Sequence, residues 1–239
     1  LVGNTNLNLE NSFSLINFNG TSTYTIETVT DDILKTHRIS FNNGILDLDG
    51  KKLLISYHVN DPYKVNLASD PLADIEFNGL ASTDDGLYIS GSGDLEIGDI
   101  IYDVTQSSRT INIKSACSIN SLSINNGHFE NHEEVSIEDV EINSTGQVKQ
   151  MANISIGDLS IDGASAAMDM NGFTYTSTGS FDLLNSGQLV NNNFTDNPSI
   201  IVEGSGTETF NIPNNLIFFD ELEINRAGAD VSISSMVTS

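Results

Sequence analysis

Apolar residues along this chain come in short alternations, with polar residues between them and Asn, Asp, Ser and Gly at the breaks. Leu7-Asn8-Leu9, Ser14-Leu15-Ile16-Asn17-Phe18, Ile45-Leu46-Asp47-Leu48 and Ile111-Asn112-Ile113 all read as strands, because side chains two residues apart share one side of a β-strand. No window places apolar residues at i, i+3, i+4 and i+7 between capping residues. Helix is therefore expected only as a short turn within Val29 to Thr36, and the fold class is all-β.

A repeat sharpens that class. Ile119-Asn120-Ser121-Leu122-Ser123-Ile124-Asn125 recurs as Ile137-Glu138-Asp139-Val140-Glu141-Ile142-Asn143, 18 residues on. It recurs again, 19 residues later, as Ile156-Gly157-Asp158-Leu159-Ser160-Ile161-Asp162. Looser copies start at Phe77, Ile97, Met170 and Phe219, while the stretch 176–210 does not fit. A period near 20 suits one closed coil of two or three short strands with tight corners. A lone coil cannot bury its own apolar side chains, so the coils must stack. The sequence thus predicts a right-handed parallel β-helix with coils of 18–22 residues. Its core stack comprises Ile119, Ile137 and Ile156, then Leu122, Val140 and Leu159, then Ile124, Ile142 and Ile161. The chain reads as one solenoid domain over 1–239, open to being part of a longer array, with 1–40 as an N-terminal cap or atypical rungs. The alternative is a tandem of antiparallel β-sandwiches, which also has many short strands but no reason to repeat a seven-residue template.

The three tight copies and the last one end in Asn or Asp: Asn125, Asn143, Asp162 and Asn225. These residues tolerate left-handed backbone angles and bond neighbouring backbone groups. Stacked at one corner, they are expected to form a ladder.

Charge narrows the partners. The chain has 33 acidic and 9 basic residues, a net charge of −24. Such a surface repels phosphate backbones, so nucleic acid is not an expected partner. No stretch approaches 18 consecutive apolar residues, so membrane insertion is not expected. The chain opens at Leu1 without a signal-like stretch and reads as a mature protein or a fragment. The single cysteine, Cys117, sits in an apolar alternation and reads as a small buried hydrophobe.

Three constellations have ligand chemistry. Asp99, Asp139 and Asp158 share one template position, interrupted by Ser121, and a column of carboxylates one rung apart can take Ca²⁺. His128, Glu130 and His132 alternate and so point to one side of a strand, as a metal set would require. The simpler readings are a solvated corner for the first and a polar strand for the second. Asp47-Leu48-Asp49-Gly50 and Asp84-Asp85-Gly86 resemble pieces of a calcium loop but lack its continuation, and read as turns. There is no G-x-S-x-G and no phosphate-cradling glycine motif. Two-carboxylate glycoside hydrolysis is open to so acidic a chain. Aromatic residues at 7%, with no Trp, argue against a sugar-processing cleft. No cofactor is expected beyond Ca²⁺.

The segments Phe41-Asn42-Asn43-Gly44-Ile45-Leu46-Asp47-Leu48-Asp49-Gly50-Lys51-Lys52-Leu53-Leu54-Ile55 and Phe219-Asp220-Glu221-Leu222-Glu223-Ile224-Asn225-Arg226-Ala227-Gly228-Ala229-Asp230-Val231-Ser232-Ile233 resemble repeat units of very large Bacteroidota-type surface proteins. That resemblance implies an exported adhesin or surface-layer component with β-helical arrays and no catalytic residues. The expected function is a non-catalytic extracellular structural or adhesive repeat protein at the cell surface, with end-to-end self-association or surface glycans as partners. The alternative is a β-helix protein that binds or degrades polysaccharide, of tail-spike or lyase type.

Overall fold

The computed structural model describes residues 5–9, 16–18, 20–36, 39–41, 45–55, 63–67, 73–79, 87–91, 95–104, 110–193, 195–204, 209–212, 220–227 and 230–233. Among them the only helical element is a 3₁₀ turn, Thr30–Asp32, inside the segment where a short turn was expected. Everything else regular is strand. All strand pairings among the described residues are parallel, and all but one of them belong to a single stacked sheet. The protein is a β-solenoid. Parallel neighbours about one coil apart in sequence leave no place for the antiparallel sandwich.

Each central coil has three faces. In one coil, Cys117 to Ile119 form the first face, Leu122 to Ile124 the second and Phe129 to Asn131 the third. Alternation turns every second side chain inward, so each face adds two residues to the core. Ile119 lies in register with Ile137 and Ile137 with Ile156. Leu122, Val140 and Leu159 do the same, as do Ile124, Ile142 and Ile161. All nine are at most 2% exposed. Fully burying a side chain of this size contributes roughly 1.5–3 kcal/mol, so these columns are the main cohesion between coils.

The copy at Ile97 is also in register: Ile97 pairs with Ile119, Ile100 with Leu122 and Tyr102 with Ile124. Three looser copies are not. Phe77 pairs with Tyr102, while Ile97 pairs with Ala73. Met170 follows the third-face strand Ala167–Asp169, and Tyr175 opens the first face of the next coil opposite Ile154. Leu222 and Ile224 pair with Ile200 and Val202 on the first face, and Phe219 lies outside the described residues. The physical reason is that all three faces alternate with period 2 and meet at short corners. A motif of apolar positions alone does not say which face it occupies.

Corners absorb variation in coil length. The step is 18 residues from Cys117 to Val135 and 19 from Val135 to Ile154. It widens to 25 from Tyr175 to Ile200 and to 29 from Phe181 to Phe210, within the stretch that broke the template. Where the second face turns into the third, small residues stack: Gly127 faces Gly146, and Ala166 and Gly187 continue the row. A Cβ on Gly146 would run into the carbonyl oxygen of Ile124 in the coil before.

Within 1–40 three of the described strands join the same sheet. Thr5–Leu9 pairs with Thr23–Val29, which pairs with Ile45–Asp47, and Ile33–Thr36 pairs with Lys52–Ile55. Ile16–Phe18 and Ile39–Phe41 form a separate parallel pair.

Candidate functional site

The corner between the first and second faces carries the aspartate column. Asp99 faces Ser121, Ser121 faces Asp139, and Asp139 faces Asp158. Ser121 Oγ donates to Asp99 Oδ1 at 2.7 Å, and Asn120 Nδ2 donates to the same oxygen at 2.9 Å. At the other end, Ser180 donates to Asp158 Oδ1 through its backbone N–H at 2.7 Å and its hydroxyl at 2.8 Å. Beside this column runs a shallow groove of about 440 Å³, lined by the carboxylates of Asp139, Glu141, Asp158 and Asp182 with Ser123 and Ser160 between them. Among the described residues its lining holds no cationic side chain. The groove offers acceptors to a hydroxylated or cationic ligand.

Among the described residues, no three His, Cys, Asp or Glu side chains come together as a metal would need. Asp99, Asp139 and Asp158 stand in one column but do not gather as a set of three. Ser121 separates the first two, and hydroxyl or amide donors occupy an oxygen of Asp99 and of Asp158. His128 and Glu130 lie on the third-face part of Cys117–Asn131, and His132 directly follows it. Glu130 and His132 meet, but no set of three closes there among the described residues. His132 Nε2 lies 3.3 Å from Glu130 Oε2 and 3.1 Å from Asn112 Oδ1. Glu130 sits opposite Lys149, and Lys149 opposite Asp169, giving an acid–base–acid row up the face. Burial lowers the pKa of His128 below its ordinary value; Glu130 opposes that shift and Lys149 reinforces it.

The expected corner ladder is partly present. Asn143 Nδ2 donates to Asn125 Oδ1 at 3.3 Å. Asp162 lies next in register and accepts from Asn185 Nδ2 at 2.7 Å. The left-handed angles fall one residue later, on Ser144 (φ 58°) and Gly163 (φ 123°). Asn225 is a correction. It follows a first-face strand, stands outside this column, and donates to Glu223 Oε1 at 2.7 Å.

A second ladder, at the corner from third to first face, escaped the sequence reading. The fully buried Asn131 donates through Nδ2 to the carbonyls of Glu133, Ala152 and Asn153, each at 3.1 Å. Gln150, one coil on and equally buried, donates to Thr174 O at 2.9 Å and Ala152 O at 3.4 Å. Asn191 repeats the role with Asn193 O and Asp196 O. On the outside, Asn171 Nδ2 reaches Gln150 O at 2.9 Å, and Asn193 Nδ2 reaches Asn171 O at 3.2 Å. The signal was available: an amide closes the third-face alternation in Phe129-Glu130-Asn131 and Val148-Lys149-Gln150.

Asp47-Leu48-Asp49-Gly50 is a turn, as expected. Asp47 Oδ1 accepts from the Asp49 N–H at 3.0 Å, and Asp49 and Gly50 take φ of 50° and 71°. Asp169, Asn171 and Gly172 repeat that geometry. Asp84-Asp85-Gly86 lies outside the described residues. Cys117 is half-buried in the column of Leu95 and Val135, and burial pushes its thiol pKa up to about 12.

One pattern unites the outer faces. Carboxylates accept hydrogen bonds from neutral donors about one coil away: Thr25 to Asp47, Ser121 to Asp99, Asn126 to Asp103, Ser180 to Asp158, Asn185 to Asp162, Asn192 to Asp169 and Asn197 to Asp220. The fold and these bonds define a parallel β-solenoid whose surface acids tie coil to coil. No protein-family model, curated protein or solved structure matches the chain.

Proposed function

We propose that this chain is a non-catalytic structural or adhesive module that works at the cell surface, as its resemblance to Bacteroidota-type surface proteins implies. The observation that carries the reading is the bonding of surface carboxylates to hydroxyls and amides one coil away. A catalytic acid needs a proton to give, and a catalytic base a free lone pair aimed at substrate. Here Asp99, Asp103, Asp158, Asp162 and Asp169 each give an oxygen to bracing the rod instead. Stacked coils that bury apolar columns and link their outer faces in this way make a stiff spacer suited to displaying a surface at a distance.

The test pairs location with turnover. Antibody against the chain should label intact source cells, and the purified protein should release no oligosaccharide from a panel of neutral and acidic polysaccharides. Labelling only after permeabilisation would overturn the surface role. Released product that disappears on Asp158→Asn would overturn the non-catalytic one and favour polysaccharide degradation in the acidic groove.

A further inference from the structure

The coil corner holding Asn171, Gly172 and Phe173 stands against the longer corner loop of the next coil. Between them lies a cavity of about 460 Å³, also lined by Thr195, Asp196, Asn197 and Asp220. A cavity of this size takes one or two sugar rings. Its walls are already organised. Asn193 Oδ1 accepts from the Thr195 N–H at 3.1 Å and from the Thr195 hydroxyl at 2.7 Å. Asp196 Oδ2 accepts from Asn193 Nδ2 at 3.1 Å and from the Thr195 hydroxyl at 3.2 Å. Asn197 Nδ2 donates to Asp220 Oδ1 at 3.2 Å. Three acceptors remain: Asp196 Oδ1, Asn197 Oδ1 and Asp220 Oδ2 take no hydrogen bond from the described residues, and all three residues are exposed. Among the described residues, Phe173 is the one aromatic residue in the lining.

We propose that this corner cavity binds a neutral glycan, with a sugar's hydroxyls donating to Asp196, Asn197 and Asp220 and its C–H face resting on Phe173. The inference deepens the adhesive reading above and rests on it. The lining selects this chemistry. It is rich in acceptors, so the ligand must bring donors. Among the described residues it carries two carboxylates and no cation, so an acidic sugar is repelled. An apolar ring among polar groups is how a ligand with one apolar and several polar faces is oriented. A pocket at a corner also leaves the stacked faces unbroken.

The experiment is saturation-transfer NMR on the whole chain with the methyl glycosides of glucose, galactose, mannose and N-acetylglucosamine, plus methyl glucuronide as the acidic arm and CaCl₂ as a separate arm. At least one neutral glycoside should bind in the millimolar range, and methyl glucuronide should not. Phe173→Ala and Asp220→Ala should each weaken binding at least tenfold. Asp220 is exposed, so Asp220→Ala keeps the test open should Phe173→Ala fail to fold. No neutral glycoside binding, binding untouched by both substitutions, or a response to CaCl₂ alone would overturn the proposal. Those outcomes would leave surface labelling and the absence of turnover untouched, so the cavity and the surface role fail separately.

Discussion

Asn131 ties its own corner to the next coil. Its side chain is fully buried, and two amide hydrogens serve three carbonyls. Glu133 O belongs to its own corner, whereas Ala152 O and Asn153 O belong to the next coil. Asn131→Ala removes that clamp. A net hydrogen bond contributes about 1 kcal/mol and an unsatisfied buried group costs about 1–3, so the loss should be about 2–4 kcal/mol. Water reaching the exposed Glu133 and Asn153 keeps it from being larger. Asn131→Asp keeps the size but turns a carboxylate oxygen toward three carbonyl oxygens, and leaving a buried charge uncompensated costs about 3–5 kcal/mol. The order at neutral pH is therefore wild type, then Ala, then Asp. Burial raises the introduced carboxyl's pKa in the folded state above its unfolded value. Between those two values the folded protein binds more protons, so stability rises as pH falls. The Asp variant should recover toward wild type in mild acid while the Ala variant does not. Urea unfolding followed by far-UV circular dichroism at both pH values reads this out. An Ala variant within about 0.5 kcal/mol of wild type, the ordinary range for an uninvolved surface site, would refute the clamp. An Asp variant no less stable than Ala at neutral pH would refute the electrostatic argument.

Two further outcomes follow from the packing. Gly146→Ala puts a Cβ against the Ile124 carbonyl oxygen and should cost about 1–3 kcal/mol by overpacking, whereas Ala166→Gly in the same row should cost about 1 kcal/mol or less; thermal unfolding of the two variants side by side checks the contrast. Cys117, with its thiol pushed up to about 12 against an ordinary 9.0, should react with iodoacetamide at mildly alkaline pH roughly 10³-fold more slowly in the folded chain than in urea, because only the thiolate attacks; equal rates in the two states would contradict its burial.

The parts of the fold that were legible in the sequence are those where alternation and spacing agree. Ile119, Ile137 and Ile156 recur at steps of 18 and 19 with the same residue types around them, and the sheet pairs them at those steps. The copies at Phe77, Met170 and Phe219 keep the alternation, and Phe77 even keeps a 20-residue step to Ile97, but none has the register of the tight copies. Alternation reports only which side of a strand a residue faces, not which face of the coil the strand forms. The amide ladder of Asn131 and Gln150 was hidden by their polarity. A polar residue at an inward position reads as a corner until its backbone partners are seen. The corner cavity was illegible for a different reason: Phe173 and Asp220 are 47 residues apart and meet only because two corners of unequal length stack.

The unequal steps between coils carry a consequence for how such a chain changes its reach. Register is set between neighbouring coils alone, and surplus residues leave at corners. Height and decoration are thus separate variables. Removing Val135 through Asn153 would bring Ile154 into the place of Val135 and shorten the rod by one rung, about 4.8 Å, with its columns closed again. Enlarging a corner would change what the rod displays without changing how tall it stands. The molecule is a ruler with exchangeable fittings.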